Sequence, residues 1–194
     1  MLHLNKKGIR VLGIAESFRK KCRHATLAGV VMRGDLIIDG IAFSTITLGG
    51  LDATEGVLKI FKKLDRTDIN AIMLNGCVIS LFNIIELDKI YEETKLPLVC
   101  VTYEESHGLE KYLREFEDYE VRLNMYKKLG SRVSIKLHTG KEIFVRFLGL
   151  SKRETIALLN KFTLQGSIPE PLKVARLTAR AVNELTTSFE KSTP

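Results

Sequence analysis

The chain has 194 residues, 45% hydrophobic and 27% charged, a balance that suits a globular domain with a sizeable core and excludes a disordered or fibrous chain. Its formal charge of +7 is concentrated near the start, where Lys6, Lys7, Arg10, Arg19, Lys20, Lys21, Arg23 and Arg33 are opposed only by Glu16. No signal-type start and no apolar run long enough to cross a bilayer are present, so no membrane association and a cytoplasmic location are the expectations.

Residues 10–16 (RVLGIAE) form a short apolar run bounded by charge, which predicts a buried strand. Residues 25–32 (ATLAGVVM) predict a second strand, closed by the turn residues Arg33-Gly34-Asp35, and residues 36–48 a third, with Asp39-Gly40 marking a bulge or bend. Three strands joined by short turns make an antiparallel meander. The period then changes. Residues 53–64 place Val57, Ile60, Phe61 and Leu64 on one helical face, and Asp52 or Thr54 is suited to cap its start. A strand over 69–74, a helix over 84–94 and a strand over 97–102 complete a β-α-β-α-β progression, which builds parallel strands with helices packed on them.

Residues 107–129 are charged with spaced Leu, Tyr and Met, and predict one or two helices. The stretches 133–138 and 142–150 flank Thr139-Gly140 as a hairpin. Helices are predicted over 152–160 and 171–184, the second opened by Pro169-Glu170-Pro171, and residues 186–194 read as a polar tail. Cys22, Cys77 and Cys100 are scattered and form no CxxC pair, so neither a zinc site nor a disulfide is expected; Cys77 and Cys100 read as core residues.

Several phrases in order along the chain resemble one archaeal family: KKGIRVLGIAES (6–17), GVVMRGDLIIDG (29–40), GLDATE (50–55), IMLNG (72–76), FNIIELDKIYEETKLPLVCV (82–101) and GSIPEPLKVARLTARAV (166–182). The family is domain of unknown function 99, or endonuclease dU, which is related to endonuclease V. The resemblance implies an α/β, RNase H-like (endonuclease V-like) mixed sheet flanked by helices, with residues 1–185 as one domain and 186–194 as the tail. It also implies Mg²⁺-dependent (or Mn²⁺-dependent) cutting of nucleic acid, DNA or RNA, at a deaminated base, a DNA-repair chemistry.

Phosphodiester hydrolysis of that kind needs hard divalent cations held by carboxylates at neighbouring strand ends. The resemblance implies acids at three places, and each departs. At the first strand Ala15 stands where Asp is expected, with Glu16 next in line; adjacent strand residues point to opposite faces, so Glu16 replaces residue 15 only through a local bulge or if the ligand is the second acid. Before the first helix Gly49 stands in the expected position and Asp52 remains, competing with a role as helix N-cap. At the fourth strand Asn75 replaces an acid. Glu86 and Asp88 follow on the next helix.

The candidate set is therefore Glu16, Asp52 and Asn75 for catalysis, and Glu16, Asp52 and Glu86 for metal. Nucleic acid would be met by Arg19, Lys20, Lys21 and Arg23, and by Lys173 and Arg176, with Arg180, at helical spacing; the alternative for both sets is an ordinary solvated face. His3, His24, His107, His138, Ser17 and Arg33 are weaker candidates. Three functions stay open: a metal-dependent endonuclease with an impaired site, a nucleic-acid-binding relative that does not cut, and a regulatory or scaffold protein acting through protein contacts or as a homo-oligomer.

Overall fold

The computed structural model describes residues 8–105 and 108–192, without the side chains of 186–192. The expectations for Lys6, Lys7, His3 and His107 lie outside the described residues. In chain order the elements are β1 (Arg10–Ser17), β2 (His24–Arg33), β3 (Ile38–Thr47), α1 (Ala53–Leu64), β4 (Ala71–Asn75), β5 (Val78–Ile79), β6 (Asn83–Ile84), α2 (Leu87–Thr94), β7 (Leu98–Thr102), α3 (Glu110–Leu113), α4 (Tyr119–Lys128), β8 (Val133–Lys136), β9 (Glu142–Leu148), α5 (Lys152–Lys161) and α6 (Glu170–Ser192).

The meander is present: β1 pairs antiparallel with β2, and β2 with β3. Its ladder carries the bulge that Asp39-Gly40 signals, because Val31 faces Gly40 while Met32 faces Ile38, leaving Asp39 as the extra residue. The freed Asp39 carboxylate takes Arg10 at 2.5 Å and Arg66 at 2.9 Å. β1, β4 and β7 are parallel, and β9 and β8 run antiparallel beyond β7, giving one mixed sheet in the order β3-β2-β1-β4-β7-β9-β8.

Strand alternation sorts the core into two layers. Leu12, Ile14, Leu74, Leu98 and Cys100 pack with Val57 and Ile60 of α1 and Ile90 of α2. On the other face Val11, Met73, Val99 and Val101 pack with Leu158 and Leu159 of α5 and Leu172 of α6. Helices thus cover both faces, as buried parallel strands require. Gly13 sets the docking of α6: a Cβ there would lie 2.7 Å from Pro171, so only glycine lets the first turn of α6 lie flat on β1.

Two expectations are corrected. The helix predicted from residue 84 begins at Leu87, because Asn83-Ile84 instead pair with Val78-Ile79 in a small separate ladder. Cys77 and Cys100 are core residues, each 1% exposed, but they are also joined in a disulfide. Cys100 faces Leu74 across the β4–β7 ladder, so the turn after β4 carries Cys77 back over it, and a separation of 23 residues leaves no sequence signal of that meeting. Among the described residues no helix is long and apolar enough to cross a membrane.

Candidate functional site

β1, β4 and β7 are parallel and end together, so the segments that follow them gather at one end of the sheet. Alternation then decides which face each polar side chain serves. Ile14 faces Leu74, so the next step sets Ala15 beside Asn75 on the α6 face, with Glu16 on the α1 face. Ala15 is 3% exposed and packs with Val30 and Ala175, leaving no polar group there. Asn75 accepts a hydrogen bond from the Tyr103 hydroxyl at 2.9 Å. Burial pushes the Tyr103 hydroxyl up from its ordinary pKa, with Arg176 opposing.

On the α1 face Glu16 turns into the segment between β5 and β6. Its carboxylate accepts the Ser80 N–H at 2.9 Å and the Ser80 hydroxyl. Burial raises its pKa to about 7, and the Ser80 N–H only partly offsets this. Ser80, Leu81 and Phe82 all lie in the left-handed region, with φ of 43°, 58° and 66°, an arrangement that costs about 1–3 kcal/mol per residue and needs external support. Support comes from both sides. Ser80 O accepts Gly49 N–H at 2.8 Å, and Arg122 of α4 donates to Phe82 O at 2.8 Å.

Arg122 is the hub of this network. Its guanidinium is 4% exposed, pairs with Asp118 at 2.6 Å, and also donates to Gly49 O at 2.6 Å and Gly50 O at 3.1 Å. It therefore ties the 48–52 loop, the 80–82 segment and α4 together, and it stacks 4.3 Å above the Phe116 ring.

Asp52 occupies the N-cap position of α1, but its side chain makes no capping bond. Its oxygens accept the Thr47 N–H at 3.0 Å, the Thr47 hydroxyl at 2.9 Å and Asn83 Nδ2 at 2.7 Å. Asn83 Oδ1 does the capping instead, accepting the Ala53 N–H at 2.9 Å. The capping role expected of the Asp52 side chain is thus corrected: an amide 31 residues later takes it, freeing Asp52 to pin the preceding loop. Burial pushes the Asp52 carboxyl up, but the bonds from Asn83 and Thr47 outweigh it and hold the pKa below the usual range.

Glu86 starts α2, where its N–H donates to Thr54 Oγ1 at 2.9 Å, and its side chain borders a groove between α2 and α4 with Asp88, Lys89 and Lys128. The cationic candidates divide. Arg19, Lys20, Lys21, Arg23 and His24 are all exposed on and beside the β1–β2 hairpin, whose Arg23 O accepts Leu48 N–H at 2.9 Å, beside the Asp52 loop. Arg176 is exposed, whereas Lys173 pairs with Glu170 at 2.5 Å and Arg180 with Glu184 at 2.9 Å. Arg33 is forked onto Asp35, Ser17 accepts from Asn183, and His138 lies against Asn160.

The acids do not assemble a cation cage. Glu16 and Asn75 leave the sheet by opposite faces, Glu16 is half-neutralised near pH 7, and both Asp52 oxygens already hold donors. Magnesium needs several charged, hydrated oxygens converging on one point. Among the described residues no group of three or more His, Cys, Asp or Glu is placed to hold a metal ion. The donor set does not fit the ion that the resemblance implies.

Sequence reasoning missed Arg122, Ser80, Asn83 and Tyr103. The one available signal was Arg122, an arginine four residues after Asp118 inside an acidic stretch.

Comparison with known proteins agrees with this architecture. The chain matches the family described as Endonuclease dU over residues 7–183. A UPF0215 protein of Pyrobaculum aerophilum is 34% identical over 182 residues, covering 93% of this chain and 97% of that one. A solved protein of unknown function from Archaeoglobus fulgidus superposes with a TM-score of 0.79 at 28% identity, over 90% of this chain and 98% of that one. Endonuclease V of Ciona intestinalis, solved with a 24mer DNA containing an inosine followed by a ribo-adenosine, superposes at 0.62 with 18% identity, over 93% of this chain and 87% of that one. The fold is the RNase H-like fold of endonuclease V.

Proposed function

The chain belongs to the endonuclease dU family, and from that premise we propose that it is a nuclease-type protein that binds nucleic acid while its metal-dependent cleavage is impaired. Residues 1–185 act as one domain in this reading. One observation carries it: Glu16 and Asn75 leave the sheet by opposite faces, so the two strand-end positions cannot share a cation. The exposed cations Arg19, Lys20, Lys21 and Arg23 beside the Asp52 loop supply the binding surface, since Lys and Arg displace the counterions of a phosphate backbone. The relatedness to endonuclease V suggests strands with a deaminated base as the ligand to try first.

Binding of uracil- and inosine-containing single and double strands, read by fluorescence anisotropy across a salt series, tests the reading. Affinity that falls steeply with salt, without product in Mg²⁺ or Mn²⁺, supports it. Absence of binding would reject it.

A second reading, an endonuclease using Glu16 and Asp52, is favoured by one specific observation. Both acids belong to a single network at the end of the sheet, Glu16 joined through Ser80 and Gly49 to Arg122, and Arg122 through Gly50 and Thr47 to Asp52. Mg²⁺- or Mn²⁺-dependent nicking that is lost in Asp52→Asn would select it.

A further inference from the structure

The β8–β9 ladder brings two arginines together. Val133 is the first residue of β8 and pairs with Val145, so Arg132, just before the strand, comes close to Arg146 of β9, and the two charges act on each other. Neither side chain escapes into solvent, for both are half-buried. Burial, and then the Arg132 charge, lower the pKa of the Arg146 guanidinium, with Tyr126 opposing.

Both guanidinium groups are also held in place. Arg146 Nε donates to Gly130 O at 2.9 Å. Arg132 donates to Glu104 O at 2.8 Å and lies 5.1 Å above the Phe144 ring. Both line a cleft of about 360 Å³ together with Thr102 and Tyr126, and both line a second cleft of about 400 Å³ that adds Lys127. The first cleft also reaches Asn75 and Tyr103 at the end of the sheet, while neither cleft includes Glu16 or Asp52.

We infer that the Arg132–Arg146 corner is a binding site for a single phosphate group. Planar guanidinium forks match a tetrahedral oxyanion, and half-buried arginines are more weakly hydrated than exposed lysines. The exposed acids Glu104, Glu105 and Glu110 also line the clefts and disfavour an extended, highly charged phosphate backbone more than a single phosphate. The phosphate comes either from the end of a nucleic-acid strand or from solution. The first source rests on the nucleic-acid reading above; the site itself does not.

The test uses the full chain. Inorganic phosphate is titrated by calorimetry at constant ionic strength into the wild type, Arg146→Gln and Arg132→Gln. The same proteins then receive one oligonucleotide with a 5′-phosphate and with a 5′-hydroxyl. Saturable phosphate binding, weakened at least about tenfold in each Gln variant of unchanged circular dichroism, is the expected result. If Arg146→Gln fails to fold, Arg132→Gln and Arg146→Lys carry the comparison, the lysine keeping the charge but not the fork. No saturable binding, or equal binding by all folded variants, would overturn the site. A preference for the 5′-phosphate that disappears in the variants assigns the strand end; phosphate binding without it assigns the free ion. Failure of the nucleic-acid reading is seen separately, as loss of oligonucleotide binding with the phosphate isotherm intact.

Discussion

The two faces of the sheet differ most where β1 and β4 end. On the α1 face the charges of Glu16, Asp52 and Arg122, with the Asn83 amide, are spent on holding loops and a helix start. On the α6 face the neighbouring positions hold Ala15 and Asn75, one apolar and one neutral. A hydrolytic metal centre needs unspent charge in one place. Here one face has charge already committed and the other has space without charge. At this end of the sheet the exposed cations of the β1–β2 hairpin are uncommitted to the loops, which is why the proposed function favours binding over cutting.

Breaking the committed face has the largest expected effect. Arg122→Met leaves three loop carbonyls without their donor and the partly exposed Asp118 without its partner, and each buried acceptor left unpaired costs about 1–3 kcal/mol. Urea denaturation measures this. A change below about 1 kcal/mol would show that the loops hold their shape without Arg122.

Converting the other face comes next. Ala15→Asp with Asn75→Asp places two carboxylates side by side on the α6 face, one of them at a buried position. The double variant should lose several kcal/mol without metal, because a buried carboxylate lacks its hydration, and regain part of it in Mn²⁺. Equal melting temperatures with and without Mn²⁺ would mean that the face cannot be made into a site by charge alone.

The pH response of Glu16 sharpens the contrast further. Its folded pKa is raised from 4.5 to about 7, so between these values the native state binds the extra proton and stability falls as pH rises. The loss is at most on the order of 3 kcal/mol for a shift of this size. Below pH 4.5 the group contributes nothing to the slope, and above pH 7 the loss is complete. Glu16→Gln should flatten this part of the stability–pH curve and leave the variant at least as stable as the wild type at pH 8. An unchanged slope would place the titration elsewhere.

These residues show what the sequence made legible. The helix over 53–64 was readable to the residue because its apolar period is unbroken. The bulge at Asp39 followed from a turn dipeptide inside a strand, and the opposite orientation of Glu16 and residue 15 followed from strand alternation. What escaped depends on contacts distant in sequence. Asn83 caps a helix that begins 30 residues earlier, so Asp52 resembled the cap. Arg122 sits in a stretch that reads only as one or two charged helices, and the fold turns it inward onto Gly49 and Phe82. The Cys77–Cys100 pairing needed the β4–β7 register.

The smallest effect on stability is expected at the hairpin. Lys20→Glu with Lys21→Glu alters two exposed charges and should change unfolding free energy by less than about 0.5 kcal/mol. It should nevertheless weaken oligonucleotide binding and lower the slope of log K against log salt by about 2. An unaltered slope would remove the hairpin from the interface.

The most direct test of the division between binding and cutting is a single assay on the wild type and Glu16→Gln. Labelled uracil- and inosine-containing strands are incubated with Mg²⁺, Mn²⁺ or EDTA, and bound and cleaved fractions are measured together. The account predicts salt-sensitive binding that EDTA leaves unchanged, with no metal-dependent product. Metal-dependent cleavage abolished by Glu16→Gln would contradict it, because it would require the Glu16 carboxylate to leave Ser80 and join a cation site with charges that the fold has otherwise committed.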